Sequence, residues 1–269
     1  MQDLVLLGTA MLLTGCVAGV LAGLFGIGGG IVIVPVLEAA LGFAGVDPAI
    51  RMHIAVATSL ATIIPTSISS ARAHHARDSV DIPLVRRWAV FVLAGAVAGA
   101  WLASQLHSRT LALVFAALAL LVALKMLLLP GTRNVTAEVP RGVLVPAIPI
   151  AIGGASSMMG IGGGTFSVMA LTLFGMPIHR AVGTASLFGL VISLPATLAY
   201  VANGWGDPRL PPWSLGFVNL LGFLLIAPAT WLTAPLGARI AHAFAPRTLS
   251  IAFGLFLAVV AVRLFVRAL

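Results

Sequence analysis

"GLFGIGGGIVIVPVLEAALG", residues 23–42, lies in a run that holds no Asp, Glu, Lys or Arg from residue 4 to residue 37. Gly26, Gly28, Gly29 and Gly30 fall near its middle, where each glycine weakens a helix by about 1 kcal/mol relative to alanine. Composition explains the apolar half of this puzzle. With 60% hydrophobic and 8% charged residues and a mean hydropathy of +1.13, the chain carries more apolar surface than a water-soluble core hides. Further uncharged runs cover residues 88–107, 110–124, 142–179, 181–206, 210–238 and 248–262, most of them near or above the roughly 20 residues that span a bilayer. These runs predict an all-α polytopic protein of the cell (inner) membrane, a multi-pass chain of about 8 to 10 hydrophobic segments. The lipid bilayer is its first partner.

Fifteen Lys and Arg against seven Asp and Glu give a net charge of +8. They are spread over short loops rather than set in a stripe with aromatics, which excludes a nucleic-acid surface and reads as topogenic charge. Cys16, the single cysteine, excludes an internal disulfide. "LLTGC", residues 12–16, is similar to a lipoprotein cleavage site, but it follows no positively charged leader and the chain stays apolar beyond it, as a first transmembrane helix would.

The chain repeats itself. GIGGG at residues 26–30 returns at 160–164, "HIAVATS" from His53 matches "HRAVGTA" from His179, and "GAWLASQLHSRTL" from Gly99 matches "GARIAHAFAPRTL" from Gly237. The spacings of 134, 126 and 138 residues keep the order of landmarks while loop lengths drift, as a duplicated unit would. The first repeat is 1–129, a connector with Pro, Gly and charge runs over 130–142, and the second repeat is 143–269. Apolar segments are expected at about 4–25, 31–46, 50–71, 85–107 and 110–129, then at about 143–159, 165–176, 181–202, 213–242 and 247–267. The segment after each glycine cluster covers only about 18 to 24 Å of a hydrocarbon core about 30 Å thick.

Whether that short segment counts as a crossing decides between inverted and parallel halves. Positive charges divide ten against five either way. The reading favoured here is an inverted repeat with short glycine-opened helices, because a 22-residue first segment carries the glycines to the far surface and a re-entrant stretch would leave Asp47 and Arg51 at membrane depth. Both models put the two termini on one side and the loop 72–87 in the cytoplasm.

Three consecutive glycines exceed what close helix packing asks, although packing stays as the alternative. Consecutive N–H groups at a helix start make an anion-binding nest backed by the helix dipole, which makes Gly28, Gly29, Gly30, Gly162, Gly163 and Gly164 candidate substrate contacts. No Lys-Ser/Thr follows the glycines and no βαβ context exists, so neither a nucleotide nor any cofactor is expected. The second repeated element adds Thr58, Ser59, Thr184 and Ser186 as candidate substrate contacts and His53 and His179 as candidate coupling groups; hydroxyls that bond back to their own helix are the alternative. Pro65 and Pro195 interrupt the same helices, and Thr62, Thr66, Ser67, Ser193 and Thr197 suit a polar path there. Glu38 is a coupling candidate or a boundary residue; Thr172 stands near its place in the second half. "GASS", residues 154–157, with His179 or His242, is similar to an intramembrane serine protease motif but sits in the wrong architecture, and His74-His75 lack metal-site spacing. No catalytic residue and no metal site is expected, and oligomeric state is not legible.

The paired GIGGG elements, the paired "AVATSL" and "AVGTAS", the loop "AHHARDSVDI" and "YVANGW", residues 200–205, together resemble the sulfite exporter TauE/SafE family over nearly the whole chain. The resemblance implies a transporter of a small sulfur-containing anion such as sulfite, a sulfonate or sulfoacetate. It agrees with the independent reading of a duplicated, glycine-opened and proline-interrupted secondary transporter with its site near the repeat interface. The alternative is a non-transporting membrane enzyme or accessory protein of a sulfur pathway, which would need an Asp, His or Cys cluster at membrane depth. If glycine serves packing alone, alanine is expected to replace it almost without loss.

Overall fold

The computed structural model describes residues 2–25, 29–128, 144–242 and 246–268. Ten helices lie among them: α1 (Gln2–Phe25), α2 (Gly30–Phe43), α3 (Pro48–His75), α4 (Ile82–Gln105), α5 (Ser108–Leu128), α6 (Leu144–Met158), α7 (Gly164–Leu173), α8 (Ile178–Asn203), α9 (Leu220–His242) and α10 (Pro246–Ala268). By length and hydropathy alone α3, α4, α5 and α8 qualify as membrane spans, and shorter apolar stretches occupy α1, α2, α7 and α9. Leu93, Val97, Leu121, Leu198, Leu224 and Val259 point outward and exposed, as lipid-facing side chains do. The chain is an all-α multi-pass membrane protein. Gly28 and the connector 130–142 lie outside the described residues.

Each long helix starts on a local signal. Asp47 caps α3 by accepting from Ala49 N at 2.8 Å, and Pro48 follows at the first turn, where its missing N–H costs nothing. Asp81 caps α4 in the same way, accepting from Leu84 N at 3.0 Å. One expected segment is corrected. Residues 213–219 do not begin a helix but fold into an antiparallel hairpin, β1 (Ser214–Leu215) on β2 (Val218–Asn219); Trp213 and Gly216 take left-handed φ of 63° and 53°, which a right-handed helix does not hold.

Contacts along the helices set their directions. His53, near the start of α3, reaches Ala103 O and Leu106 O at the end of α4 and stacks on Phe217 of the hairpin. These groups define one face of the molecule, the hairpin face. The opposite face holds the loop 76–81, where Arg180 at the start of α8 reaches Asp81. α1 runs alongside α9 in the same direction, since Thr230 and Thr233 donate to Gly15 O and Cys16 O, and α6 runs alongside α4, with Ile150 against Gly95 and Gly154 against Gly99. Hence α1, α3 and α5 run from the hairpin face to the loop face, whereas α6, α8 and α10 run the other way. α2 heads for the hairpin face and α7 for the loop face.

The packing pairs are α1 with α9, α6 with α4, α3 with α8, α5 with α10, α4 with α8 and α9 with α3. Exchanging α1–α5 for α6–α10 returns these six pairs, although α5 also packs on α3 more closely than α10 does on α8. Together with the opposed directions, this is the arrangement an inverted duplication would produce.

Candidate functional site

The short helices α2 and α7 begin beside one another at the centre. Gly29 and Gly163 stand at their N-caps with φ of 79° and 69°, a left-handed conformation that strains any L side chain by about 1–3 kcal/mol. The clusters interlock. A Cβ built on Gly30 would lie 2.5 Å from Gly160 O and 2.8 Å from Ile63 Cδ1, and one on Gly162 would overlap Ile63 Cγ2. Ile63 stands halfway along α3, so the glycines sit in the middle of the bundle rather than at the far surface, as the length of the first segment had suggested. The reason is that α2 turns back beside α1 and α3.

At a helix start the first N–H groups have no acceptor within the helix, and here two such starts point their positive ends into one region. Ser59, at its floor, donates to Gly160 O at 2.8 Å. Around the second cluster several buried hydroxyls have no partner, Ser156, Thr165, Ser167 and Ser193, and Thr197 further along α8 has none either. Sequence places Ser156, Thr165 and Ser167 within a turn or so of Gly160 to Gly164. Ser193 shares the α8 face of Gly189, whose built Cβ would lie 2.7 Å from Gly162 O, and follows Ile192, whose Cδ1 lies 2.7 Å from that of Gly163. An unpartnered buried polar group costs about 1–3 kcal/mol, so a concentration of them marks a place where water or a ligand completes the bonds.

The other sequence candidates are placed differently. Thr58 Oγ1 accepts from Asn219 N at 3.0 Å, and Thr184 Oγ1 accepts from Asp81 N at 3.0 Å. Asn219 and Asp81 in turn accept from Gly222 N and Leu84 N, three residues on. Each threonine therefore holds the capping residue of a helix from the other half, and neither meets lipid. Ser186 donates to Gly183 O within α8, and Thr62 and Thr66 likewise bond back along α3. His53 Nε2 sits 3.1 and 3.0 Å from two carbonyl oxygens, which makes it the protonated ring nitrogen; His179 is exposed at the start of α8. Glu38 ends in a pair of arginines, Arg51 at 3.8 Å and Arg267 at 3.4 Å, on the hairpin face. In the second half Thr172 donates to Val168 O in its own helix. Ser157 of the GASS stretch donates to Gly154 O.

Among the described residues no group of three or more His, Cys, Asp or Glu is placed to hold a metal ion. Sequence reading overlooked Asp81 and Asn219 as helix caps, although the Asp-x-Pro spacing at 81–83 signals one, and it passed over Thr165, Ser167 and Ser156, whose significance lies in lacking partners.

An α-helical multi-pass membrane protein with two short helices starting at its centre is the class that this fold and site define. The sulfite exporter TauE/SafE family matches residues 11–264, and the chain belongs to that family. It is 38% identical over 257 residues to a "Probable membrane transporter protein" of Haemophilus influenzae, covering 95% of this chain and 97% of that one. It is 25% identical to the "Probable membrane transporter protein YunE" of Bacillus subtilis, over 89% of this chain and 90% of the relative. No solved structure matches the chain.

Proposed function

We propose that the protein is a secondary membrane transporter for a small anion, a sulfur oxyanion or organosulfonate, bound where α2 and α7 begin. The family and the names of the relatives support membrane transport. The anion reading rests on one observation: two helix starts converge at mid-bundle among buried hydroxyls that lack partners. In this reading Gly29, Gly30, Gly162 and Gly164 offer backbone N–H groups, Gly163, whose own N–H is taken by Ile161 O at 2.9 Å, shapes the turn, Thr165, Ser167 and Ser193 offer O–H groups, and Ser59 keeps the second glycine turn in place. Helix starts serve anionic groups in this way in transporters with broken helices.

The two repeats, 1–129 and 143–269, form inverted halves in this proposal. Arg72, Arg77, Arg86, Arg87, Lys125, Arg180, Arg239 and Arg247 then set the loop face in the cytoplasm, eight among the described residues against five on the hairpin face, Arg51, Arg109, Arg209, Arg263 and Arg267. Thermal-shift screening of the purified protein tests the substrate class. Stabilisation by sulfite, sulfoacetate or sulfate that is reduced in Ser167→Ala/Ser193→Ala is the expected result; stabilisation by cations or amino acids and by no oxyanion would overturn it.

A further inference from the structure

Away from the central site, the ends of α2, α3, α5 and α10 surround a cavity of about 490 Å³ at the hairpin face. Its wall carries three guanidinium groups, Arg51, Arg109 and Arg267, against one carboxylate, Glu38. Arg51 and Arg267 both reach Glu38, at 3.8 and 3.4 Å, well beyond the roughly 2.7–2.9 Å of a tight charge-assisted bond. One carboxylate is therefore shared loosely between two forks. Arg51 is anchored from behind by Val46 O, 2.7 Å from Nη2. Ser108 Oγ accepts from Met52 N at 3.0 Å, which leaves its proton to be donated into the cavity that it lines. Asp47, close by in sequence, is turned to its own helix start, where it accepts from Ala49 N, and it does not line the cavity.

We propose that this cavity is a second anion site, which takes a tetrahedral oxyanion group (sulfate, sulfonate or phosphate) on Arg109, Arg267 and Arg51, with Glu38 as the internal competitor that the anion displaces. Arginine suits this role because its planar fork presents paired donors to two oxygens at once. The volume lies in the range of small-molecule sites. Arg267, with 47% of its side chain exposed, opens the cavity to water, and the largely exposed Phe43 on its wall gives it an apolar rim against which an acyl chain can pack. The oxyanion can thus arrive free or as the phosphate of a phospholipid.

The test uses the full chain in nanodiscs of phosphatidylcholine, with sulfate as the probe and binding read by calorimetry at constant ionic strength. Arg109→Gln and Arg109→Gln/Arg267→Gln should weaken sulfate binding, the double variant by about tenfold or more. Glu38→Gln should tighten it, because the competing carboxylate is gone. Ser167→Ala/Ser193→Ala, which alters only the central site, should leave this binding step in place. Melting temperatures without anion show which variants are folded, and Arg109→Gln, which keeps Arg51 and Arg267 in place, serves if the double variant is not. Discs containing phosphatidylglycerol separate the sources: a lipid occupant lowers sulfate binding and stays on the wild-type protein in native mass spectra but not on the arginine variants, whereas a free anion binds equally in both discs. Sulfate and phosphatidylglycerol binding that both ignore the arginine changes, or weaker sulfate binding in folded Glu38→Gln, would overturn the proposal.

Discussion

A methyl group at the glycine clusters meets backbone at Gly30 and side chains at Gly162 and Gly163. At Gly30 the obstacle is Gly160 O, which cannot move without shifting the second cluster, so Gly30→Ala should lower the melting temperature and the folded yield sharply. Gly163→Ala meets the mobile Cδ1 of Ile192 but has to hold φ near 69°, a strain of about 1–3 kcal/mol; its melting temperature should fall too. Alanine is therefore no mild probe here, contrary to what the sequence suggested for a packing role, and activity per folded molecule in Gly variants is hard to interpret. The unpartnered hydroxyls give a cleaner separation. Ser193→Ala or Ser167→Ala removes a group whose burial without a partner opposes folding by about 1–3 kcal/mol, so stability should hold or rise. If the hydroxyls bind the anion, transport in proteoliposomes falls at the same time. Full transport with unchanged stability would remove them from the site.

Between helices, the threonines that sequence reading placed at the substrate act as ties. Thr58→Val and Thr184→Val each delete the acceptor for a buried cap N–H and should destabilise by about 1 kcal/mol, read as a lower melting temperature with anion affinity unchanged. A loss of affinity at constant stability would return them to the binding site. Thr58 and Thr184 occupy matching places in the two similar motifs that begin at His53 and His179, yet the ties they make differ chemically. On the hairpin face the cap is an amide, Asn219, the fully buried last residue of β2. On the loop face it is a carboxylate, Asp81, bonded at 3.3 Å to the exposed Arg180. Periodicity could find the helices themselves, because the apolar runs match α1–α10 within a few residues apart from the hairpin. It could not find the ties, since a threonine bonded within its own helix and one bonded across the bundle are spelled alike.

For the whole molecule, the opposed directions of the two halves predict which loops share a side. In a Cys16→Ala background, Pro212→Cys and Ala76→Cys should label from opposite faces with a membrane-impermeant maleimide, Pro212→Cys in intact cells and Ala76→Cys only after permeabilisation. Labelling of both from one side would favour parallel halves. Charge counting could not choose between these models, because exchanging three arginines for three others leaves the totals equal. The helix directions, with α1 along α9 and α6 along α4, support the inverted model, and the labelling experiment decides between the two.

By itself the sequence determined the membrane class, the ten segments, the internal similarity and the glycine breaks, because hydropathy, spacing and repeated motifs are properties of the chain read in order. Only the tertiary structure decided where the breaks go. The turn of α2 back beside α1 brings Gly30 against Gly160, and that contact, across 130 residues of chain, turns two glycine clusters into one centre. The fate of each hydroxyl was likewise decided by folding, since whether Thr58, Ser59 or Ser193 meets a cap, a carbonyl or nothing depends on what the neighbouring helix presents to it. So was the setting of Glu38, whose two arginines lie 13 and 229 residues away and meet it because α10 ends where α2 ends. Local pattern specifies a helix; the partners of its polar groups are a property of the packed whole.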